Sequence, residues 1–241
     1  MHIFLPVYFI FIYNTFCLHR SLMKLERLNL QLAAIIIISI IGTYTFSYIS
    51  FTISQDKLPP SLLSIWQRWD TIYYLDIAQN WYSSSKTTIV FFPAYPILIK
   101  LLSFFLINDM LAALVVSNLC YIFACYFLYC LVELDYGKDR AIWAVIYLSI
   151  FPTSYFLHAG YTESLFLALT ISSFYYARKE LWCISSILCM FVTATRVTGI
   201  LLIPPLILEY LYQKEFDSKN IKKDVLWFAI TPLGFFCVPS D

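Results

Sequence analysis

Apolar runs close to the length of a membrane crossing recur along this chain, and they constrain its fold more than any other feature. They cover residues 2–18, 30–53, 109–134, 141–157, 160–177, 181–199, 199–212 and 225–238, with a Pro-broken apolar stretch at 91–107. A helix crosses the hydrocarbon layer in about 20 residues. Across the 241 residues, 61% are hydrophobic and 13% charged, far from the ~45–50% and ~25% of soluble domains. The chain therefore reads as an integral membrane protein. A net charge of +1 and the absence of a basic, aromatic-interleaved tract give no basis for nucleic-acid binding.

All seven cysteines (Cys17, Cys120, Cys125, Cys130, Cys183, Cys189, Cys237) lie in apolar segments. None forms a C-x-x-C pair with companion histidines, so they read as small core or lipid-facing residues rather than as a metal site. Orientation follows from Lys and Arg in the short loops. With 54–108 placed outside the cytoplasm, eleven fall inside (Arg20, Lys24, Arg27, Lys138, Arg140, Arg178, Lys179, Lys214, Lys219, Lys222, Lys223) and five outside (Lys57, Arg68, Lys86, Lys100, Arg196). This parity requires that 91–107 does not cross. Pro93 and Pro96, each lacking a backbone donor, fit an interfacial or re-entrant element there. The first run, 2–18, lacks the charged start of a signal peptide and is either an extra span or an anchor.

The segment 63–81 (LSIWQRWDTIYYLDIAQNW) is the first to carry chemistry. If it is helical throughout, Trp66, Trp69, Asp70 and Tyr73 fall at i, i+3, i+4 and i+7, on one face. A carboxylate among aromatic rings at a membrane boundary suits general-base work on a hydroxyl, because partial desolvation raises its pKa. The rings also suit the C–H face of a sugar. Asp76 is rotated about 240° from Asp70 and is expected off that face, in water or capping the loop. An interfacial anchor helix explains the aromatics equally, but Asp70 interrupts its apolar face and Arg68 supplies a cation in the same turn.

The second stretch, FPTSYFLHAGYTESL (151–165), holds His158, Tyr161 and Glu163. His158 reads as a satisfied structural residue. Glu163 opens a span, where helix capping explains it as well as function does. In the third stretch, TATRVTGI (193–200), Arg196 lies 15 residues beyond Leu181, about 22 Å along a helix. Intramembrane ionisable residues are costly and are functional candidates by default. Snorkelling to a lipid phosphate is the alternative. The three stretches project to one boundary, and that convergence points to an extracytoplasmic site for a substrate with a lipid tail and a polar head.

RWDTIYYLDIAQNWY, FFPAYPILIKLLS, GYTESLFLAL and TATRVTGILLIPPLILEYL, in that order and spacing, resemble the mannosyltransferase family of GPI mannosyltransferase 2 and its prokaryotic relatives, over about residues 60–212. The resemblance implies an all-α polytopic membrane protein, a transmembrane helix bundle of the C-type (GT-C) inverting glycosyltransferases. It also implies a long first extracytoplasmic loop containing interfacial helices. The expected organisation is an N-terminal apolar segment and cytoplasmic basic linker (1–29), a transmembrane helix (30–53), that loop (54–108), and further transmembrane helices (109–241). The reaction implied is transfer of a hexose, mannose above all, from a polyprenyl- or dolichyl-phosphate donor to a lipid-linked or glycan acceptor.

Asp70 takes the role of base in this scheme, and Arg196 that of partner to the donor phosphate. Tyr161 and Glu163 supply site structure or acceptor contacts, with Arg68, Trp66, Trp69 and Tyr73 binding substrate. No cofactor or metal is required. Family members carry further spans after the equivalent of 225–238, whereas this chain stops at FFCVPSD, so a truncated product or a fragment is expected. The location implied is the prokaryotic plasma membrane, with the endoplasmic reticulum as the alternative. Two rival readings stand beside the enzyme. A transporter or flippase of lipid-linked sugars would place polar residues near the midplane on broken helices, and an inactive membrane partner of a glycosyltransferase would need no base at all.

Overall fold

The computed structural model describes residues 4–55, 58–59, 61–83 and 86–237, with the side chains of 4–29, 86, 87, 218 and 237 excepted. The readings that rest on the side chains of 2–18, on Cys17 and Cys237, and on Arg20, Lys24, Arg27, Lys57 and Lys86 lie outside the described residues. Nine α-helices and no strand occur among those residues: α1 (Phe4–Gln55), α2 (Asp70–Asn80), α3 (Ala94–Leu106), α4 (Asp109–Tyr136), α5 (Lys138–Ile150), α6 (Tyr155–His158), α7 (Glu163–Arg178), α8 (Trp182–Thr193) and α9 (Ile203–Gln213). Tighter 3-10 turns join them, notably at Ser64–Trp66, Val197–Leu202 and Lys223–Cys237.

Among the described residues two segments are long and apolar enough to cross a membrane, Leu30–Gln55 in α1 and α4 itself, with mean hydropathies of 2.0 and 2.1. Only 11% of the apolar window of the first is buried, against 44% for α4. α1 thus turns Ile37, Ile38, Ile41, Phe46 and Ile53 outward, while α4 is the central post. An exterior of this kind is stable against lipid and costly against water. The chain is an all-α membrane protein. The other helices, α2, α3 and α5 to α9, are of at most 16 residues, shorter than the ~20 of a full crossing.

Local chemistry sets the ends of α4. The Asn108 side chain accepts from the Leu111 N–H at 2.9 Å and Asp109 occupies the first turn, meeting two needs of a helix N-terminus. At the other end Gly137 adopts φ 84, a conformation that only glycine enters freely, and its N–H closes on the Glu133 carbonyl at 3.1 Å. Small residues (Ala112, Ala113, Ser117, Ala124) are fully buried along α4, and Ser173 of α7 bonds to Ser185 of α8. Small side chains at the contacts let helix backbones approach closely, which is the main packing device where no water drives association.

Two helices expected from periodicity end early. Residues 63–81 do not form one helix: a 3-10 turn ends at Trp66, and α2 begins only at Asp70. The 181–199 run breaks after Thr193, and the chain turns back over the end of α8. A Cβ at Gly199 would stand 2.5 Å from the Val192 carbonyl oxygen, so only glycine permits this approach. The last apolar stretch is wound as 3-10 from Lys223 to Cys237 around Pro232, which has no backbone N–H to offer an α-helix. Of the cysteines, the described five carry no disulfide, and Cys125 and Cys189 are wholly buried.

Candidate active site

The site grows from the break before α2. Trp66 is 2% exposed, stacked on Tyr155 (5.2 Å between centroids, 13° between planes) and leaning on Tyr44 of α1 (4.7 Å). A continuous helix would set Trp66 and Asp70 side by side. Burying the indole between α1 and α6 while Asp70 stays at the surface requires the chain to turn between them. Trp66 is therefore a core anchor, a correction to its expected place on the Asp70 face. The turn passes through Trp69 at φ 47, a left-handed value that costs a non-glycine residue on the order of 1–3 kcal/mol. It is held from both sides, since the Arg68 carbonyl accepts the Thr71 N–H at 3.2 Å and the Tyr161 hydroxyl at 3.1 Å.

A cleft of about 370 Å³ opens over this turn, lined by Trp69, Asp70, Phe156, Tyr161 and Glu163. Asp70 is exposed at the first residue of α2, and among the described residues its carboxylate has no hydrogen-bond or ion-pair partner. Trp69, 64% exposed, faces Phe156 at 6.4 Å, and Phe156 meets Tyr161 edge-on at 5.5 Å. Glu163 opens α7, and its Oε1 accepts from Arg196 Nη1 at 3.0 Å. Its Oε2 is buried without a hydrogen-bond partner among the described residues. Beneath the cleft, Tyr74 and Thr162 share a 3.4 Å hydrogen bond. Burial pushes the hydroxyls of Tyr74 and Tyr161 up to about 12, with the nearby carboxylates adding to the effect, so both remain O–H groups at neutral pH.

Arg196 reaches Glu163, one of the cleft's lining residues, by a route the helical count did not foresee. It sits past the end of α8 in extended backbone (φ −151, ψ 147), not 15 residues along a helix. The Ala94 N–H, in the FFPAYP stretch, donates to the Ala194 carbonyl at 3.2 Å and ties the start of α3 to this turn. With its guanidinium already joined to Glu163, a phosphate there competes with an internal carboxylate.

The other expected residues lie around the cleft rather than in it. Tyr73 stacks on Phe91 (4.9 Å, 17°). Arg68 lies over the Phe51 ring of α1 at 5.5 Å and lines a separate groove of about 470 Å³, which shares Trp69 with the cleft. Asp76 accepts from Asn80 at 2.8 Å. His158 is fully buried, with Nδ1 at 3.0 Å from Asn118 Oδ1 and Nε2 at 3.2 Å from the Ser39 hydroxyl, a bridge between α1 and α4. Phe156 is the lining residue that sequence reasoning missed. Its only signal was its place in SYFLHAGYTES, where it looks like any apolar residue. Among the described residues no group of His, Cys, Asp and Glu could hold a metal ion.

Fold and site together define a membrane protein with an acid-bearing aromatic cleft at one end of its helices. Residues 90–240 match the dolichyl-phosphate-mannose-protein mannosyltransferase family, and the chain belongs to that family. The matched region contains Phe156, Tyr161, Glu163 and Arg196 and begins after Asp70. The chain is also 31% identical over 123 residues to GPI mannosyltransferase 2 of Schizosaccharomyces pombe, an overlap that covers 49% of this chain and 26% of that protein. It thus spans about a quarter of the length of this curated relative. No solved structure matches the chain.

Proposed function

We propose that the protein is a membrane glycosyltransferase that moves a hexose, mannose in the first place, from a polyprenyl- or dolichyl-phosphate donor to a hydroxyl of a lipid-linked or glycan acceptor. The observation that carries this reading is the unpartnered Asp70 carboxylate at the mouth of an aromatic cleft, in a chain of a mannosyltransferase family. An aspartate without an internal partner is free to receive a proton, and the exposed Trp69 indole beside the half-buried Phe156 ring accepts the C–H face of a sugar. Glu163 lines the same cleft and carries Arg196 as its ion-pair partner.

Asp70 takes the proton of the acceptor hydroxyl as its oxygen forms a bond to C1 of the hexose. The bond from C1 to the phosphate oxygen breaks on the far side, the configuration at C1 inverts, and the polyprenyl phosphate leaves with the electron pair. Phosphate is a stable anion and needs no general acid. The same reading places the cleft on the extracytoplasmic face, with 54–108 as the first outer loop of a polytopic GT-C bundle. The prokaryotic plasma membrane is the membrane favoured, with the endoplasmic reticulum as the alternative.

The test is transfer of labelled mannose from polyprenyl-phosphate-mannose in membranes expressing this chain, beside Asp70→Asn at matched expression. General-base catalysis contributes about 10²–10⁴-fold. A loss of that size in the variant is expected, and equal transfer by both chains rejects Asp70 as the base.

A further inference from the structure

The groove beside the cleft has a different chemistry from the cleft itself. It lies between the end of α1 and the Arg68–Trp69 turn, with α6 closing one side. Arg68 is the only charged residue among its described lining. The guanidinium carbon lies 5.5 Å from the centroid of the Phe51 ring, and among the described residues its N–H donors have no hydrogen-bond partner. Among the described residues it has no carboxylate partner, in contrast to Arg196, whose Nη1 is 3.0 Å from Glu163. Ser47, Ser50 and Ser54 stand on one face of α1 toward the groove, and neither Ser50 nor Ser54 has a hydrogen-bond partner among the described residues.

We propose that this groove is the seat of a lipid-borne phosphate, with Arg68 as its cation and Ser50 and Ser54 of α1 as supporting donors. A free arginine fork, hydroxyls and no acid match a phosphate in charge and geometry. The lipid source follows from position: the groove lies against the membrane-crossing part of α1, where Phe46 and Ile53 are 72% and 77% exposed and offer an apolar track for a tail. Trp69 is a wall common to groove and cleft. A sugar on that indole would have its phosphate at Arg68 and its reactive carbon toward Asp70. The assignment of the lipid as donor rests on the proposed function, whereas the phosphate seat does not.

The experiment is equilibrium binding of labelled farnesyl phosphate to the full chain in lipid nanodiscs, which needs no turnover. Arg68→Gln should weaken binding by about tenfold or more, and Arg68→Lys should retain part of it. Ser50→Leu fills the groove from an exposed face of α1 and should weaken binding without altering Arg68. Inorganic phosphate at the same concentration should not compete, because it lacks the tail. Unchanged affinity in Arg68→Gln and Ser50→Leu, or equal competition by inorganic phosphate, overturns the proposal. If transfer fails while binding depends on Arg68, the donor reading falls and the phosphate seat stands; the reverse pattern removes the seat alone.

Discussion

The Tyr161 hydroxyl donates to the Arg68 carbonyl at 3.1 Å, joining two stretches 93 positions apart in sequence. That bond fixes the turn from which Trp69 and Asp70 project, and it holds Trp69 in a backbone conformation that is unfavourable in isolation. Tyr161→Phe removes the donor but keeps the ring against Phe156. The expected loss of stability is about 1 kcal/mol, the usual net value of such a bond. The loss of transfer should be at least as large, about tenfold, because the turn carries the proposed base. The check is kcat beside thermal unfolding in detergent; a variant equal to the parent in both would show that the turn is held by other contacts.

Two buried phenols make the same region sensitive to alkali. Tyr74 and Tyr161 are raised from 10.0 to about 12, chiefly by burial. Below pH 10 both are protonated in folded and unfolded chains, and the stabilisation is fully present. Between pH 10 and 12 the unfolded chain loses protons that the folded chain keeps, so stability falls as pH rises through that window. Titration of tyrosinate absorbance should show a late-ionising class, and Tyr74→Phe with Tyr161→Phe should flatten the decline of Tm over the same range. A decline of unchanged slope would assign the alkaline loss to other groups.

Glycines mark two close approaches that differ in what they face. A Cβ at Gly160 would stand 3.0 Å from Thr71 Cγ2 and 3.4 Å from Ala113 Cβ, pressing the 158–163 loop away from α2. Gly160→Ala should therefore cost about 1–3 kcal/mol by overpacking. Thr71→Ser deletes the nearest methyl and should restore most of that loss in the double variant. Gly199→Ala meets the Val192 backbone carbonyl at 2.5 Å, where nothing can rotate aside, and should be the more damaging of the two. Thermal unfolding of the four chains decides both points, and failure of Thr71→Ser to rescue would place the Gly160 effect elsewhere.

These contacts show which parts of the site could be read in advance. Of the stretches 66–76, 158–163 and 196, expected to converge because polar residues are rare in such a chain, the structure brings Trp69, Asp70, Tyr161, Glu163 and Arg196 together. Pro93 and Pro96, read as the mark of an interfacial or re-entrant element, stand at the N-cap and in the first turn of α3, a helix of 13 residues. The helical count failed at Trp66 and Arg196 because the breaks at 67–69 and 194–196 carry no proline or glycine of their own. Trp69 enters its left-handed conformation only because Trp66 finds Tyr44 and Tyr155, and Tyr161 finds Arg68. Those are tertiary contacts, invisible to a local period of 3.6. Phe156 was hidden for a related reason: one more aromatic among apolar neighbours acquires meaning only when Trp69 and Tyr161 are placed beside it.

The pair of Glu163 and Arg196 permits a test that separates architecture from chemistry. Their side chains are 30% and 40% exposed, so their attraction is screened and contributes about 0.2–1 kcal/mol. Oε2 of Glu163 is nevertheless buried and unpartnered, and removing Arg196 would leave both carboxylate oxygens without a cation. An uncompensated charge costs more than the absence of the pair. Arg196→Gln should thus lower Tm more than Arg196→Gln combined with Glu163→Gln does. If the double variant also regains transfer that Arg196→Gln lacks, the pair acts by shaping the cleft wall. If stability returns and transfer does not, the guanidinium contacts substrate directly. A double variant whose Tm falls by the sum of the two single losses would show that the residues do not interact, against the 3.0 Å contact.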